Sequence, residues 1–228
     1  MAVKSFGLLF AVVCVGCGGS GGGDGAVPPV PGHCEDVSRL DTSHEPTENP
    51  VWYFNASHFD NFGTRWPDAN VHVRFNLPVV NGSWDENWMP PAITDGVFAE
   101  VNGLIAANGG TMRLIVWDWN TDPNATIGIE VYDASLSPTL GHGIDTSVSW
   151  DNDTHEIAYA SVSLGVFYDD SCKRALLKGG LLQAVGFAGY TSDGGVMDAE
   201  IYNAVVTDIV RDTIAGLYAV PPGTIFAP

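Results

Sequence analysis

The chain has 228 residues, 45% of them apolar and 16% charged, with seven Trp, seven Tyr and ten Phe, which is material for one folded domain with a full core and not for a disordered chain. Its 27 acidic residues against nine Lys and Arg give a formal charge of −18. Such a surface repels phosphate backbones and anionic headgroups, which argues against nucleic acid as a partner.

Residues 1–16 read as a signal peptide. Met1-Ala-Val-Lys4 and the apolar run Phe6 to Val15 supply a short basic head and an apolar middle, and the run is too short to cross a bilayer. It ends in Val15-Gly16-Cys17, with Gly18-Gly-Ser-Gly-Gly-Gly23 behind it. A small residue before that cysteine resembles a bacterial lipobox, although Cys14 stands where leucine is usual. The resemblance implies cleavage before Cys17, lipidation of Cys17 and a membrane-anchored lipoprotein of the cell envelope. Gly18 resembles the outer-membrane sorting signal of Gram-negative hosts. A plain secretory signal cleaved within the glycine tract is the alternative.

Residues 17–50 are expected to form a lipidated Gly/Pro-rich tether and lead-in, with Val27-Pro-Pro-Val-Pro31 and His44-Glu-Pro46 giving little regular structure. Two cysteines are left, Cys34 and Cys172, and in an oxidising compartment an even pair reads as a disulfide. A zinc site is the weaker alternative, because neither has a second ligand at metal spacing.

The domain is expected over 51–228. Val71-His-Val-Arg-Phe-Asn76 alternates like a half-buried strand that ends at Leu77-Pro78. After the loop Asn81 to Trp88, Pro90-Pro91 open a helix with Ile93, Val97, Val101, Leu104 and Ile105 at helical spacing, stopped by Asn108-Gly-Gly110. Met112–Trp119 and Ile127–Tyr132 read as strands, a Gly-rich loop runs through Gly141 to Asp145, and a strand follows from about Glu156 to Phe167. A helix is expected from near Cys172 to Phe187, and Val206 to Tyr218 carry the pattern of a last one before Pro221-Pro222. The class is α+β, with no internal repeat.

The helix in Lys178-Gly-Gly-Leu-Leu-Gln-Ala-Val-Gly-Phe-Ala-Gly189 carries two adjacent glycines, the residue that weakens a helix most after proline. With Thr191-Ser-Asp-Gly-Gly-Val-Met197 behind it, the stretch resembles the metzincin frame H-E-x-x-H-x-x-G-x-x-H and its Met-turn. The likeness is to the matrixin catalytic domain and covers about residues 65–220. It implies a twisted mixed sheet with a long first helix, an active-site-type helix and a C-terminal helix.

In that frame two histidines one turn apart and a third beyond the glycine hold zinc, and the glutamate activates its water. Here Gly186 keeps the helix-ending glycine and Met197 the Met-turn, but Gly179 stands for the first histidine, Gly180 for the glutamate, Gln183 for the second histidine and Gly189 for the third. No imidazole or general base remains at these positions. The resemblance therefore implies a metallopeptidase fold without zinc or catalysis, a pseudoenzyme whose cleft serves as a peptide or protein binding module.

In the family, the edge strand before that helix takes up a substrate strand, which points to about Ile157–Val166. The paired glycines read as a ligand face that has been emptied, and glycines that permit close packing are the other explanation. Two rivals stand beside this reading. One is an active zinc metalloprotease with a site rebuilt from distant histidines, though among His33, His44, His58, His72, His142 and His155 no two share a helix-turn spacing. The other is a carbohydrate or cell-surface binding module using Trp84, Trp88, Trp117 and Trp119. His142 with Asp145, or Asp151-Asn-Asp153, offers oxygen ligands for a structural calcium, and a solvated turn is the plainer account.

Overall fold

The computed structural model describes residues 63–225 apart from 77–78, 81–82, 86–87, 119, 134–142, 166–168, 188, 192 and 199–202. The signal, Cys17, the tether, Cys34 and residues 51–62 lie outside the described residues.

Strand β1 (Asn70–Asn76) is followed by the short pair β2 (Val79–Val80) and β3 (Ser83–Trp84), the second of them inside the segment expected to be loop. Helix α1 (Pro91–Ala106) begins with proline at its first position, where a missing N–H costs nothing, and buries Ile93, Val97, Phe98, Val101, Leu104 and Ile105 on one face. Each such side chain contributes roughly 1.5–3 kcal/mol by leaving water. Gly109, at φ +91°, turns the chain after it.

Strands β4 (Arg113–Val116), β5 (Ile127–Asp133), β6 (Ile144–Trp150) and β7 (Ile157–Leu164) come next, then helices α2 (Asp170–Ala184) and α3 (Asp208–Tyr218). Asp169 caps α2 by accepting a hydrogen bond from the Cys172 N–H at 2.8 Å.

Five strands form one mixed sheet in the order β4-β1-β5-β7-β6. β1 runs parallel to β4 and β5, β5 runs parallel to β7, and β6 is antiparallel to β7. Along β1, β5 and β7, Val71, Val73, Ile129, Val131, Ala160, Val162 and Leu164 are buried in the core shared with the helices, and the alternate residues face the other way.

This topology corrects the sequence reading at two points. The Gly-rich segment expected to stay loop as far as Asp145 yields at Ile144 to strand β6. The strand expected at the edge, over about Ile157–Val166, is interior, because β6 lies outside it. Both follow from one cause: Ile144-Asp-Thr-Ser-Val-Ser-Trp150 is half-solvated and polar on one face, so its apolar content is low for a strand while its alternation is intact.

Candidate functional site

The positions assigned to the metal-binding frame lie on α2 and the loop after it. Gly179 and Gly180 are buried in the second half of the helix. A Cβ on Gly180 would lie 2.4 Å from Val162 Cγ1 of β7 and 3.4 Å from Ile144 Cγ2 of β6. The helix sits closer to the sheet than a residue with a side chain allows, and the space an acid or base at 180 would need is filled by valine. Close packing, the other explanation of the pair, thus applies at Gly180, where the approach to β7 calls for a glycine. Beside the pair, Lys178 is 2% exposed, with Nζ 2.6 Å from Glu100 Oε2 of α1 and donating to the Ala204 carbonyl. The only charge on this part of the helix is thus committed to holding α1 and the segment before α3.

Gly186 ends the helix as expected, and the reason is local. Its φ is +111°, and a Cβ there would meet the Thr64 carbonyl oxygen at 2.6 Å and Leu217 Cδ2 at 2.8 Å. The indole N–H of Trp66 donates to the Ala184 carbonyl at 2.9 Å, and the Tyr218 hydroxyl to that of Val185 at 3.0 Å, so the orphan carbonyls of the last turn are met from both ends of the domain.

Past this turn the chain doubles back. The Gln183 amide reaches the Tyr190 hydroxyl at 3.4 Å, which brings Gln183 beside the segment that holds Gly189. Gly189 has φ +79°, where any side chain is strained. The loop then closes on itself. The Thr191 N–H donates to the Met197 carbonyl at 2.7 Å, Asp193 accepts from the Thr191 hydroxyl at 2.6 Å, and the Gly194 N–H donates to Asp198 at 2.7 Å. Met197 is fully buried. Gln183 is thus linked through Tyr190 to the loop that the Thr191–Met197 bond closes, and Gly179 lies one turn earlier on the Gln183 face.

The rival sites fare differently. Among the described residues no three His, Cys, Asp or Glu side chains gather as a metal site. His142 lies outside the described residues, and Asp145 is exposed on β6. Asp151 Oδ1 accepts from the N–H groups of Asp153 at 2.8 Å and Thr154 at 3.0 Å, which is a self-satisfied turn. Trp88 is 6% exposed and stands edge-on to Phe75 in the core, with ring centroids 6.5 Å apart. The Trp117 indole donates to the Asp122 carbonyl at 2.9 Å. The Trp84 side chain and Trp119 lie outside the described residues.

One cluster was missed. On the sheet face turned from the helices, Glu130 is 8% exposed, pairs with Arg74 and accepts hydrogen bonds from the hydroxyls of Tyr132 and, at 3.0 Å, Tyr159. The Arg74 guanidinium lies 6.0 Å from the Trp117 ring centroid. Alternation places each of these residues on the polar face of its own strand, but only the order β1-β5-β7 makes them neighbours.

Cys172 is disulfide-bonded, with its partner outside the described residues. No family model matches the chain, and no curated protein sequence matches it.

Proposed function

We propose that this chain is a catalytically silent metzincin-like domain, anchored at the cell envelope through lipid on Cys17, that binds an extended peptide or protein segment. The observation that carries the reading is at Gly180, where Val162 occupies the space that a general base would need. Gly179, Gln183 and Gly189 offer neither an imidazole nor a carboxylate, and a glutamine amide is a poor zinc ligand.

The family likeness is supported by the order of elements: an early strand, a long helix, further strands of which the last lies inside the sheet, the glycine-bearing helix, a turn around a buried methionine and a terminal helix. The disulfide at Cys172 fits an oxidising compartment.

The binding edge is β6. It is a seven-residue strand that among the described residues pairs on one side only, with β7, and it contains no proline, lysine or arginine, which makes it the strand to which an extended segment would add.

Two measurements test this. Protein exposed to zinc and desalted is expected to retain no stoichiometric metal and to leave casein intact; bound zinc with cleavage abolished by a chelator sinks the silent reading. A peptide library is expected to yield extended ligands that slow amide exchange along 144–150, and ligands that protect only other strands sink the edge assignment.

A further inference from the structure

The hydrogen-bond parity of β6 sets what an added strand would meet. The Gly165 N–H donates to the Gly143 carbonyl at 2.8 Å, one step before the antiparallel register Ile144↔Leu164. Hydrogen-bonded pairs recur at every second residue of such a ladder, so Asp145 and Ser147 turn their backbone groups to β7. Those of Ile144, Thr146 and Val148 turn away from it, to the side on which no described strand lies. The side chains alternate in the same way. Ile144 and Val148 pack against the core on the helix side, and Asp145, Ser147 and Ser149 stand on the opposite face.

The charge at this end of the sheet is of one sign. Between Arg113 and Lys173 the chain has no lysine or arginine, and β5, β6 and β7 all lie within that stretch. They carry Glu130, Asp133 and Asp145, and Glu130 is taken up by Arg74 of β1. Asp145 is exposed, yet the protein beside it desolvates its carboxyl and pushes it above its ordinary value, and among the described residues no hydrogen bond or cation acts the other way. A carboxylate in that setting gains from an incoming positive charge. In an antiparallel added strand the residue opposite Asp145 forms a non-hydrogen-bonded pair with it, the Cα atoms about 4.5 Å apart, which is within reach of a lysine or arginine.

We propose that the extended segment taken up by β6 is cationic, with a lysine or arginine opposite Asp145 and apolar residues opposite Ile144 and Val148. This deepens the edge assignment and rests on it. A second copy of the chain is a poor occupant, because its own β6 has no basic residue to offer and each copy carries a formal charge of −18.

Three capped heptapeptides test it, alternating valine with lysine, glutamine or glutamate, with binding and amide exchange along 144–150 read at low and at physiological salt. The lysine peptide is expected to slow exchange along 144–150 and to bind about tenfold more tightly than the glutamine peptide at low salt, the margin shrinking as salt rises. Asp145→Asn is expected to cut that margin about threefold and to leave binding of the glutamine peptide unchanged, which also shows that the variant is folded. Glutamine or glutamate peptides that protect 144–150 as well as the lysine peptide overturn the proposal and leave the edge assignment standing. A lysine preference that Asp145→Asn does not move overturns it too, by tracing the preference to net charge. Protection of 144–150 that grows with protein concentration alone gives the edge to a second copy and overturns it as well. If no peptide protects 144–150, the edge assignment itself fails and takes the proposal with it.

Discussion

On the helix side of the sheet, Val162 of β7 fills the space beside a glycine, and the positions that resemble a catalytic frame carry no ionisable group. On the opposite side, neighbouring residues of the same three central strands bring Arg74, Glu130, Tyr132 and Tyr159 into one network. The helix side is closely packed at this glycine, while the outer side holds ionisable groups hydrogen-bonded to one another.

The largest expected effect lies on the packed side. Gly180→Glu would place a carboxylate among Val162, Ile144 and Leu164 and is expected to cost several kcal/mol or prevent folding. Gly180→Ala is the sharper test, because a helix gains about 1 kcal/mol from that change when nothing intrudes. Here a loss of about 1–3 kcal/mol is expected in urea unfolding. Adding Val162→Ala should recover part of it, through a coupling of about 1 kcal/mol between two residues in contact. An alanine variant more stable than the parent would show that the packing account is wrong.

On the outer side, Glu130→Ala leaves Arg74 and two tyrosine hydroxyls without their shared acceptor. Arg74 is 39% exposed and keeps water, so the expected loss is about 1–3 kcal/mol and not the larger penalty of a fully buried ion. Arg74→Ala in the same background should add little. Independent, additive losses from the two substitutions would mean that the network does not act as one.

At the boundary of α2 the effect is smaller again. Asp169→Ala removes the acceptor for the Cys172 N–H and is expected to cost about 1 kcal/mol in the same measurement, while Asp169→Asn keeps most of it. Equal losses from both would shift the weight from the cap hydrogen bond to the charge at the helix N-terminus.

Much of this fold was legible because periodicity is local. The spacing of Ile93, Val97, Val101 and Ile105 marked α1, and the alternation over 70–76 marked β1. β6 escaped because one face is solvent-exposed serine and aspartate, which leaves alternation but little apolar weight. The interior place of β7 escaped for a different reason: which strand closes a sheet is decided by pairing partners far apart in sequence.

At the site, the glycine pair and Met197 could be singled out in the sequence, yet the reason for Gly180 could not, since Val162 lies 18 residues earlier and meets it only in the folded chain. The Glu130 network was hidden in the same way. Its members stand on three strands, and no spacing within any one of them announces the others.

The finest probe of the outer side is the titration of Tyr159. Burial, and then the hydrogen bond with Tyr132, push its hydroxyl from 10.0 up to about 12. The folded protein therefore holds the proton more tightly than the unfolded chain does. Between those values the native state binds more protons, so the contribution to stability is complete below pH 10 and declines as pH rises toward 12. Ultraviolet titration of the folded protein should show a late tyrosinate step. Burial also raises Tyr218, so the step belongs to Tyr159 only as the difference between the parent and Tyr159→Phe. A Tyr159 that titrates near its ordinary value would mean that the outer network is open to water and that the two faces differ less than their packing suggests.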